Sequence, residues 1–210
     1  MSFLMAQFYD RFMSKSEDAC LRQWRAELLA DVRGDVLEVG AGTGANLAAY
    51  PRDGVRLTLC EPDEAMRARL VAKRGAENAS PRVTDWPAER LGVDDNSQDV
   101  VVTTLVCCSV TDLGAALAEF RRVLRPGGRF VFLEHVGAEQ GSGRRRVQNV
   151  LNPAWRKLAG NCHLNRDTEA AIAAAGFELE SVTRASMRKA LPFIRPTVRG
   201  VARLDPQRGV

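Results

Sequence analysis

Val36-Leu37-Glu38-Val39-Gly40-Ala41-Gly42-Thr43-Gly44-Ala45-Asn46 decides how the rest of this chain is read. A short apolar strand carrying one acidic residue runs into three glycines spaced two apart. Glycine is needed where a backbone turns with positive φ, or must approach a ligand with no Cβ in the way. A strand that ends in such a turn and opens a helix makes a nucleotide-sized cradle.

Gly40, Gly42 and Ala45 also satisfy G-x-G-x-x-A, one form of the dinucleotide fingerprint. Glu38 separates the readings. Its carboxylate, just ahead of the glycines, can meet the ammonium of a methionine moiety and would repel a pyrophosphate. A solvated strand-end charge is the other reading of Glu38. Glu61 ends a second strand over residues 55–60, about 20 residues past the first glycine, where a carboxylate suits a ribose diol in either cofactor. The cradle therefore reads as a site for S-adenosylmethionine.

At 210 residues the chain forms one domain, 1–210, with residues 1–32 as N-terminal cap helices. No apolar run approaches the roughly 20 residues of a membrane span, so no transmembrane segment is expected. Residues 1–12 lack the basic start of a secretory signal. The five cysteines form an odd set with no C-x-x-C pair. That argues against a disulfide framework and a structural zinc site, so no metal is expected, and a reducing cytoplasm is the expected location. Net charge is only +4, and Arg144-Arg145-Arg146 is the one basic run. Without interleaved aromatics it reads as a solvated helix face, and no nucleic-acid partner is expected.

Leu21, Trp24 and Leu28 mark one face of a helix over 14–32. Asp63 caps a helix carrying Met66 and Leu70 and closed by Gly75, followed by a short strand around Val83. The β-branched run 99–104 suits a central parallel strand. Leu113, Leu117, Phe120 and Leu124 line the next helix, which Pro126-Gly127-Gly128 stops before a strand over 129–136. Alternating βαβ units predict a doubly wound sheet. Residues 141–163 predict a helix broken at Asn152-Pro153. Asn165 caps a helix over 166–175, and strands over 177–186 and 197–204 flank a proline-bearing arm.

Glu38-x-Gly40-x-Gly42-x-Gly44, Glu61-Pro62 and Arg122-Val123-Leu124-Arg125-Pro126-Gly127-Gly128 resemble class I S-adenosylmethionine-dependent methyltransferases. The implied fold is α/β, a Rossmann-like, seven-stranded, mostly parallel sheet with helices on both faces and a reversed C-terminal β-hairpin. Gly42-Thr43-Gly44-Ala45-Asn46, Tyr50-Pro51, Thr104 to Val110, Glu134-His135-Val136, Asn152-Pro153-Ala154-Trp155 and Asn161 to Arg166 are similar to the methyltransferase-like 7 group, the alkyl thiol S-methyltransferases, and its bacterial relatives. The resemblance runs from about residue 10 to 204. It implies methyl transfer from S-adenosylmethionine to a small molecule, a thiol first of all. O- or N-methylation, or cofactor binding without methyl transfer, are the alternatives. The animal members begin with a hydrophobic membrane anchor that this chain does not show.

By the same resemblance the cofactor lies against Glu38, Gly40, Ala41, Gly42, Gly44, Asn46, Glu61, Pro62, Met66, Trp86, Ala88, Glu89, Thr104 and Leu105. Many class I members hold the adenine amine with an acidic residue after the third strand. Trp86-Pro87-Ala88-Glu89 has proline there, which shifts the task to backbone near Ala88, with Trp86 or Leu105 packing on the ring. Residues 141–164 are expected to form a lid over the substrate.

His135 is the first candidate base, at a strand end where open α/β sheets bind ligands. A free imidazole titrates near pH 6.5, which suits proton transfer. A structural strand-end histidine is the alternative. Glu134 would orient it or touch substrate, although alternation along a strand can point the two apart. Asp10 is another candidate base. Tyr9, Phe12, Cys108 and His163 are candidate substrate contacts, against plain packing for the aromatics and cysteine and a solvated loop for His163. The fourth strand lacks the Asn/Asp-Pro-Pro-Tyr motif that holds planar amines in nucleobase and glutamine methyltransferases. A nicotinamide short-chain oxidoreductase is disfavoured, because neither Tyr9 nor Tyr50 has a lysine four residues on.

Overall fold

The computed structural model describes residues 3–74 and 81–204, with side chains from residue 10 onwards. Seven strands form one sheet in the order β3-β2-β1-β4-β5-β7-β6. The strands are β1 (Gly34–Val39), β2 (Val55–Cys60), β3 (Arg82–Thr84), β4 (Gln98–Thr104), β5 (Leu124–His135), β6 (Phe177–Ser186) and β7 (Pro196–Leu204). The first five pair in parallel, and β7 runs antiparallel to both β5 and β6. This is the expected class I sheet with its reversed hairpin, and the strand order reverses between β1 and β4, where ligands bind in such sheets.

Alternation along β4 sorts the two faces. Val100 and Val102 pack with Leu29, Val32, Val36 and Val131 under the N-terminal helices. Val101 faces the other way, with Leu37, Phe130 and Phe132. There α4 (Leu113–Val123) and α6 (Thr168–Ala174) cover the sheet. Phe130 sits at the centre of that side, 5.2 Å, 5.6 Å and 5.4 Å from the rings of Phe120, Phe132 and Phe177.

The first helix extends further back than its periodicity predicts. α1 (Phe3–Ser16), a π-helical turn (Glu17–Leu21) and α2 (Arg22–Leu29) follow one another with helical dihedrals at each junction. No α-helix opens after the glycine loop. Residues 44–46 form turns and only Leu47–Ala49 makes a 3-10 turn. Asn46 spends its side chain on Glu38 and Thr104, and Tyr50 is extended at ψ 143°, as a residue preceding proline must be.

Asp63 caps α3 (Glu64–Lys73) by accepting from the Ala65 and Met66 amides, as expected. Gly75 lies outside the described residues. Helix α4 ends at Val123, and Leu124, placed in that helix by its apolar spacing, is already extended at ψ 135°. The Pro126-Gly127-Gly128 turn becomes an irregularity in β5, whose pairing with β4 jumps from Gln98↔Leu124 to Val100↔Arg129.

α5 (Gly143–Leu158) runs straight through Pro153. Two anchors in the turns before it hold the helix: Gln148, fully buried, donates to the Phe193 carbonyl, and Asn152 Oδ1 accepts from the Leu164 amide at 2.8 Å. Asp167, not Asn165, caps α6, because the Asn165 amide donates to Asn149 Oδ1.

The strand starts beneath the site are locked by charge. Asp35 accepts two hydrogen bonds from Arg56, at 2.6 Å and 2.8 Å, and one from Arg125 at 2.9 Å. Arg125 in turn reaches Asp99 at 2.6 Å, tying β1, β2, β4 and β5 together. The Arg56 hydrogen bonds, helped by Arg125 and opposed by partial burial, bring the Asp35 carboxyl down to about 2. A depressed carboxyl stabilises the fold above its unfolded pKa and loses that contribution as pH falls through the folded value. Asp35→Asn should therefore cost about 1 kcal/mol at neutral pH, after screening at the exposed Arg56. Urea melts should show the gap between variant and parent closing from pH 4 to pH 2. A gap that persists at pH 2 would contradict this account.

Candidate active site

A cavity of about 580 Å³ opens at the carboxyl ends of β1, β2, β4 and β5. Gly40, Gly42, Glu61, Pro62, Met66, Ala88 and Glu89 line one end. Thr104 and Leu105 line the middle, and Cys108, His135, Trp155 and Cys162 the other end. Phe12, Met13, Leu158, Met187 and Ile194 add apolar wall.

The glycines have distinct duties. Gly40 has φ 68°, and a Cβ there would lie 2.5 Å from Val106 Cγ2, so it permits close packing. Gly42 has φ 58° and nothing within 4 Å of its would-be Cβ, so it borders open cavity. Between them Ala41 donates to the Cys60 carbonyl at 2.9 Å and faces inward, and Gly44 donates back to Ala41. Glu61 accepts from the Gly42 amide at 2.8 Å and the Asp63 amide at 2.9 Å. Burial pushes its carboxyl up, against the pull of those two amides. A carboxylate poised at the cavity wall beside the glycine turn is placed for a diol.

Glu38 lies beneath the loop rather than in the cavity. It is 2% exposed, and its two oxygens accept from Asn46 Nδ2 at 2.9 Å and Tyr50 Oη at 2.8 Å. Burial pushes its carboxyl up to about 7, opposed by those hydrogen bonds and the nearby Arg25. Arg25 completes the cluster by donating to Asn46 Oδ1 at 2.7 Å, Thr104 Oγ1 at 2.6 Å and Glu17 at 3.1 Å. Arg25 and Tyr50 went unassigned from the sequence. Arg25 stands between Leu21 and Leu29 at four-residue spacing on a buried face, and that was the available signal.

Several expected contacts fall elsewhere. Trp86 packs against Gly92 and under the Arg82 guanidinium, 5.0 Å from its ring centre, and does not line the cavity. Asp10 accepts from Thr43 Oγ1 at 2.6 Å and clamps α1 onto the glycine loop from outside. Glu134 is fully buried on the opposite face of β5 from His135, near Thr103 and the Cys107 amide, where burial raises its carboxyl to about 7. His163 uses its backbone amide on the Cys108 carbonyl at 2.7 Å, and its ring does not line the cavity. The Tyr9 side chain lies outside the described residues. Glu89 lines the cavity while one oxygen accepts from the Thr111 and Asp112 amides.

The cysteine end was only partly foreseen. Leu105, a non-glycine residue at φ 61°, turns the chain out of β4, held by its amide on the Leu133 carbonyl. The loop after α5 is stitched to this turn. Asn161 donates to the Ser109 carbonyl at 2.9 Å, and Arg166 to the Cys107 carbonyl at 2.7 Å. Cys162 is thereby carried to His135 Nδ1 at 4.0 Å and to Cys108. Its hydrogen bond with Cys108, and then His135, holds the Cys162 thiol down, and the same bond with burial holds Cys108 up.

A sequence profile described as a methyltransferase domain matches residues 37–132. The chain is 40% identical over 171 residues to human thiol S-methyltransferase TMT1A, covering 80% of this chain and 69% of the relative. It is 35% identical over 186 residues to thiol S-methyltransferase TMT1B of Rattus norvegicus, covering 84% and 73%. A solved methyltransferase from Thermotoga maritima shares the fold, with a TM-score of 0.69 at 19% identity over 96% of this chain and 98% of that one. Fold and site define an S-adenosylmethionine-dependent methyltransferase of class I. Within that class, the chain belongs to the family of these thiol S-methyltransferases. Among the described residues no helix is long and apolar enough to cross a membrane.

Gly42→Ala should separate the loop's packing from its ligand duty. The new Cβ meets no protein atom, so its structural cost is that of a left-handed alanine, about 1–2 kcal/mol. Calorimetric titration should show affinity for S-adenosylmethionine falling on the order of tenfold or more, the 1.4 kcal/mol step that intruding on a bound ligand readily exceeds. Unchanged affinity would place the cofactor away from Gly42.

Proposed function

We propose that this enzyme transfers the methyl group of S-adenosylmethionine to the thiol of a small apolar molecule. The observation that carries this reading is the cavity's division into two ends. The glycine turn and Glu61 stand at one end, and Cys108, His135 and Cys162 at the other, with apolar side chains between. The relatives' activity supports the choice of sulfur as acceptor.

Methyl transfer is an in-line displacement, and the reacting atoms must be held about 3–3.5 Å apart with the leaving sulfur opposite the nucleophile. The nucleoside end positions the cofactor: Glu61 takes the ribose hydroxyls, and the Gly42 turn and Ala88 backbone flank them. Glu38 positions rather than binds. Through Asn46 and Tyr50 it fixes the loop that cradles the methionine portion. The acceptor enters past Phe12, Leu158 and Met187, so its sulfur comes to the His135 end. α1 and the stretch 143–162 serve as its cover, and the closing wall excludes water. His135 is the polar group set nearest the acceptor sulfur. The free cysteines fit a reducing cytoplasm, and a small molecule fits a cavity of about 580 Å³.

Methyl-labelled S-adenosylmethionine offered with separate pools of alkyl thiols, phenols and amines tests the reading. Label should appear in thioethers. His135→Ala should lower kcat on thiols by on the order of 100-fold, as for loss of one positioned polar catalytic group, while cofactor affinity stays within about twofold. Label confined to phenol ethers or methylamines would overturn the thiol assignment and keep the enzyme class.

A further inference from the structure

Cys108, His135 and Cys162 come from three separate elements: the turn after β4, the last residue of β5 and the loop after α5. One donor atom from each lies within 4.8 Å of the others. Local sequence spacing does not reveal them, since no two are closer than 27 positions in the chain. Tetrahedral zinc, with sulfur at 2.3 Å and nitrogen at about 2.0 Å, needs donors spaced about 3.6–3.8 Å apart. His135 Nδ1 and Cys162 Sγ stand at 4.0 Å, so closing around an ion takes a few tenths of an ångström there.

The cluster is held from outside itself. The amide of His163 binds the Cys108 carbonyl, Asn161 binds the Ser109 carbonyl, and Arg166 binds the Cys107 carbonyl. These contacts fix the Cys162 loop against the Cys108 turn without using any of the three donor atoms. His135 is only 4% exposed, yet its Nε2 has no partner and its Nδ1 has only the long contact to Cys162. The Nδ1, whose one contact is that long approach to Cys162 Sγ, is the ring nitrogen placed to take a further ligand. All three residues line the cavity. An ion on them would keep its fourth position open to the space where the acceptor enters, the arrangement of catalytic rather than structural zinc. Two sulfurs and an imidazole select zinc over magnesium or calcium, which take oxygen.

We propose that Cys108, His135 and Cys162 bind one zinc ion, and that its open position takes the sulfur of the acceptor thiol. The proposal rests on the thiol-methylating reading and deepens it. The thiol loses its proton to solvent as its sulfur coordinates. A sulfur lone pair then forms the new S–C bond to the methyl carbon. The bond from that carbon to the cofactor's sulfonium breaks, and its electron pair stays on the cofactor sulfur. The products are a neutral thioether, a poor zinc ligand that leaves, and S-adenosylhomocysteine. No oxidant or reductant takes part.

The test uses the full chain, reduced with a phosphine so that no added thiol competes for metal. After loading with zinc and gel filtration, elemental analysis should find about one zinc per chain, and cobalt should give a sulfur-to-metal charge-transfer band. Cys162→Ser should weaken zinc binding on the order of 100-fold or more, as loss of a ligand from a three-residue site does. Cys60→Ser, a cysteine remote from the cluster, should leave it unchanged. S-adenosylmethionine affinity, measured on each variant, verifies that the fold persists. Zinc retained at parental affinity by both Cys162→Ser and His135→Gln would overturn the site, and so would no zinc on the fully reduced chain. Copper(I) bound in preference to zinc would overturn the choice of ion. Zinc bound at the cluster with no thioether formed would sink the thiol reading and leave the site standing. Thioether formation at full rate by protein shown to be metal-free would leave methylation standing and remove the ion from it.

Discussion

A carboxylate buried beneath the glycine loop is the constraint on which the site depends. Glu38 is taken out of water at 2% exposure, which disfavours its charge unless it is well hydrogen-bonded. Asn46 and Tyr50 meet it from the loop it underlies, and Arg25 reaches the same asparagine from the N-terminal helix. Thr104, at the end of β4, accepts from both Arg25 and Asn46. Four segments of chain thus share one polar network, and each must be in place for the others to be satisfied. A half-satisfied buried network costs more than none, so its members hold each other to one geometry. The glycine turn, with three residues at positive φ, inherits its shape from that network rather than from its own backbone preferences.

The acceptor end is built by a different device. No polar core fixes it; backbone carbonyls of the turn after β4 do. Leu105 in a left-handed conformation exposes the carbonyls of Cys107, Cys108 and Ser109 to the loop after α5, and that loop answers with Arg166, His163 and Asn161. Strain in one residue is repaid by hydrogen bonds from another element, a pattern that marks functional turns. The consequence is that Cys162, far along the chain, sits against β4 and β5. Pro153 does not break the helix leading there, because Gln148 and Asn152 anchor the turns just before it.

Much of the fold was legible in the sequence. Apolar runs and glycine or proline punctuation located every strand of the sheet, and the resemblance supplied the order and the reversed hairpin. Capping by Asp63 was legible because an acidic residue stood immediately before an apolar period. Several of the failures shared one cause: residue types with a strong local preference were overridden by tertiary partners. Asn165 gave its side chain to Asn149 and left the cap to Asp167. Asn46 gave its side chain to Glu38, and the helix expected after the glycines shrank to a 3-10 turn. Part of the glycine-loop end of the cavity was legible, because Gly40, Gly42, Glu61 and Thr104 lie at or just past the ends of β1, β2 and β4. Glu38, Ala41, Gly44 and Asn46 lie in or under the loop and do not line the cavity, and Trp86 is drawn away by Gly92 and Arg82. The cysteine cluster was not legible, since a turn, a strand end and a distant loop assemble it and spacing rules see only near neighbours in the chain.

The two ends make a coherent whole in charge. A thiolate attacking a sulfonium destroys one negative and one positive charge, and water, which solvates both reactants well, resists such a step. An apolar cavity walled by Phe12, Leu105, Trp155 and Met187 resists it less, because the charges lost are ones it stabilises poorly. The difficulty moves to forming the thiolate there at all. A zinc ion held by two deprotonated cysteines and a neutral imidazole carries no net charge, so it can bind a thiolate while adding only the single negative charge that the sulfonium cancels. A lone imidazole would instead become a cation on taking the thiol's proton, and would stand beside the sulfonium's own positive charge in a low-dielectric space. Charge balance within the cavity therefore favours a donor cluster over a single base at the acceptor end.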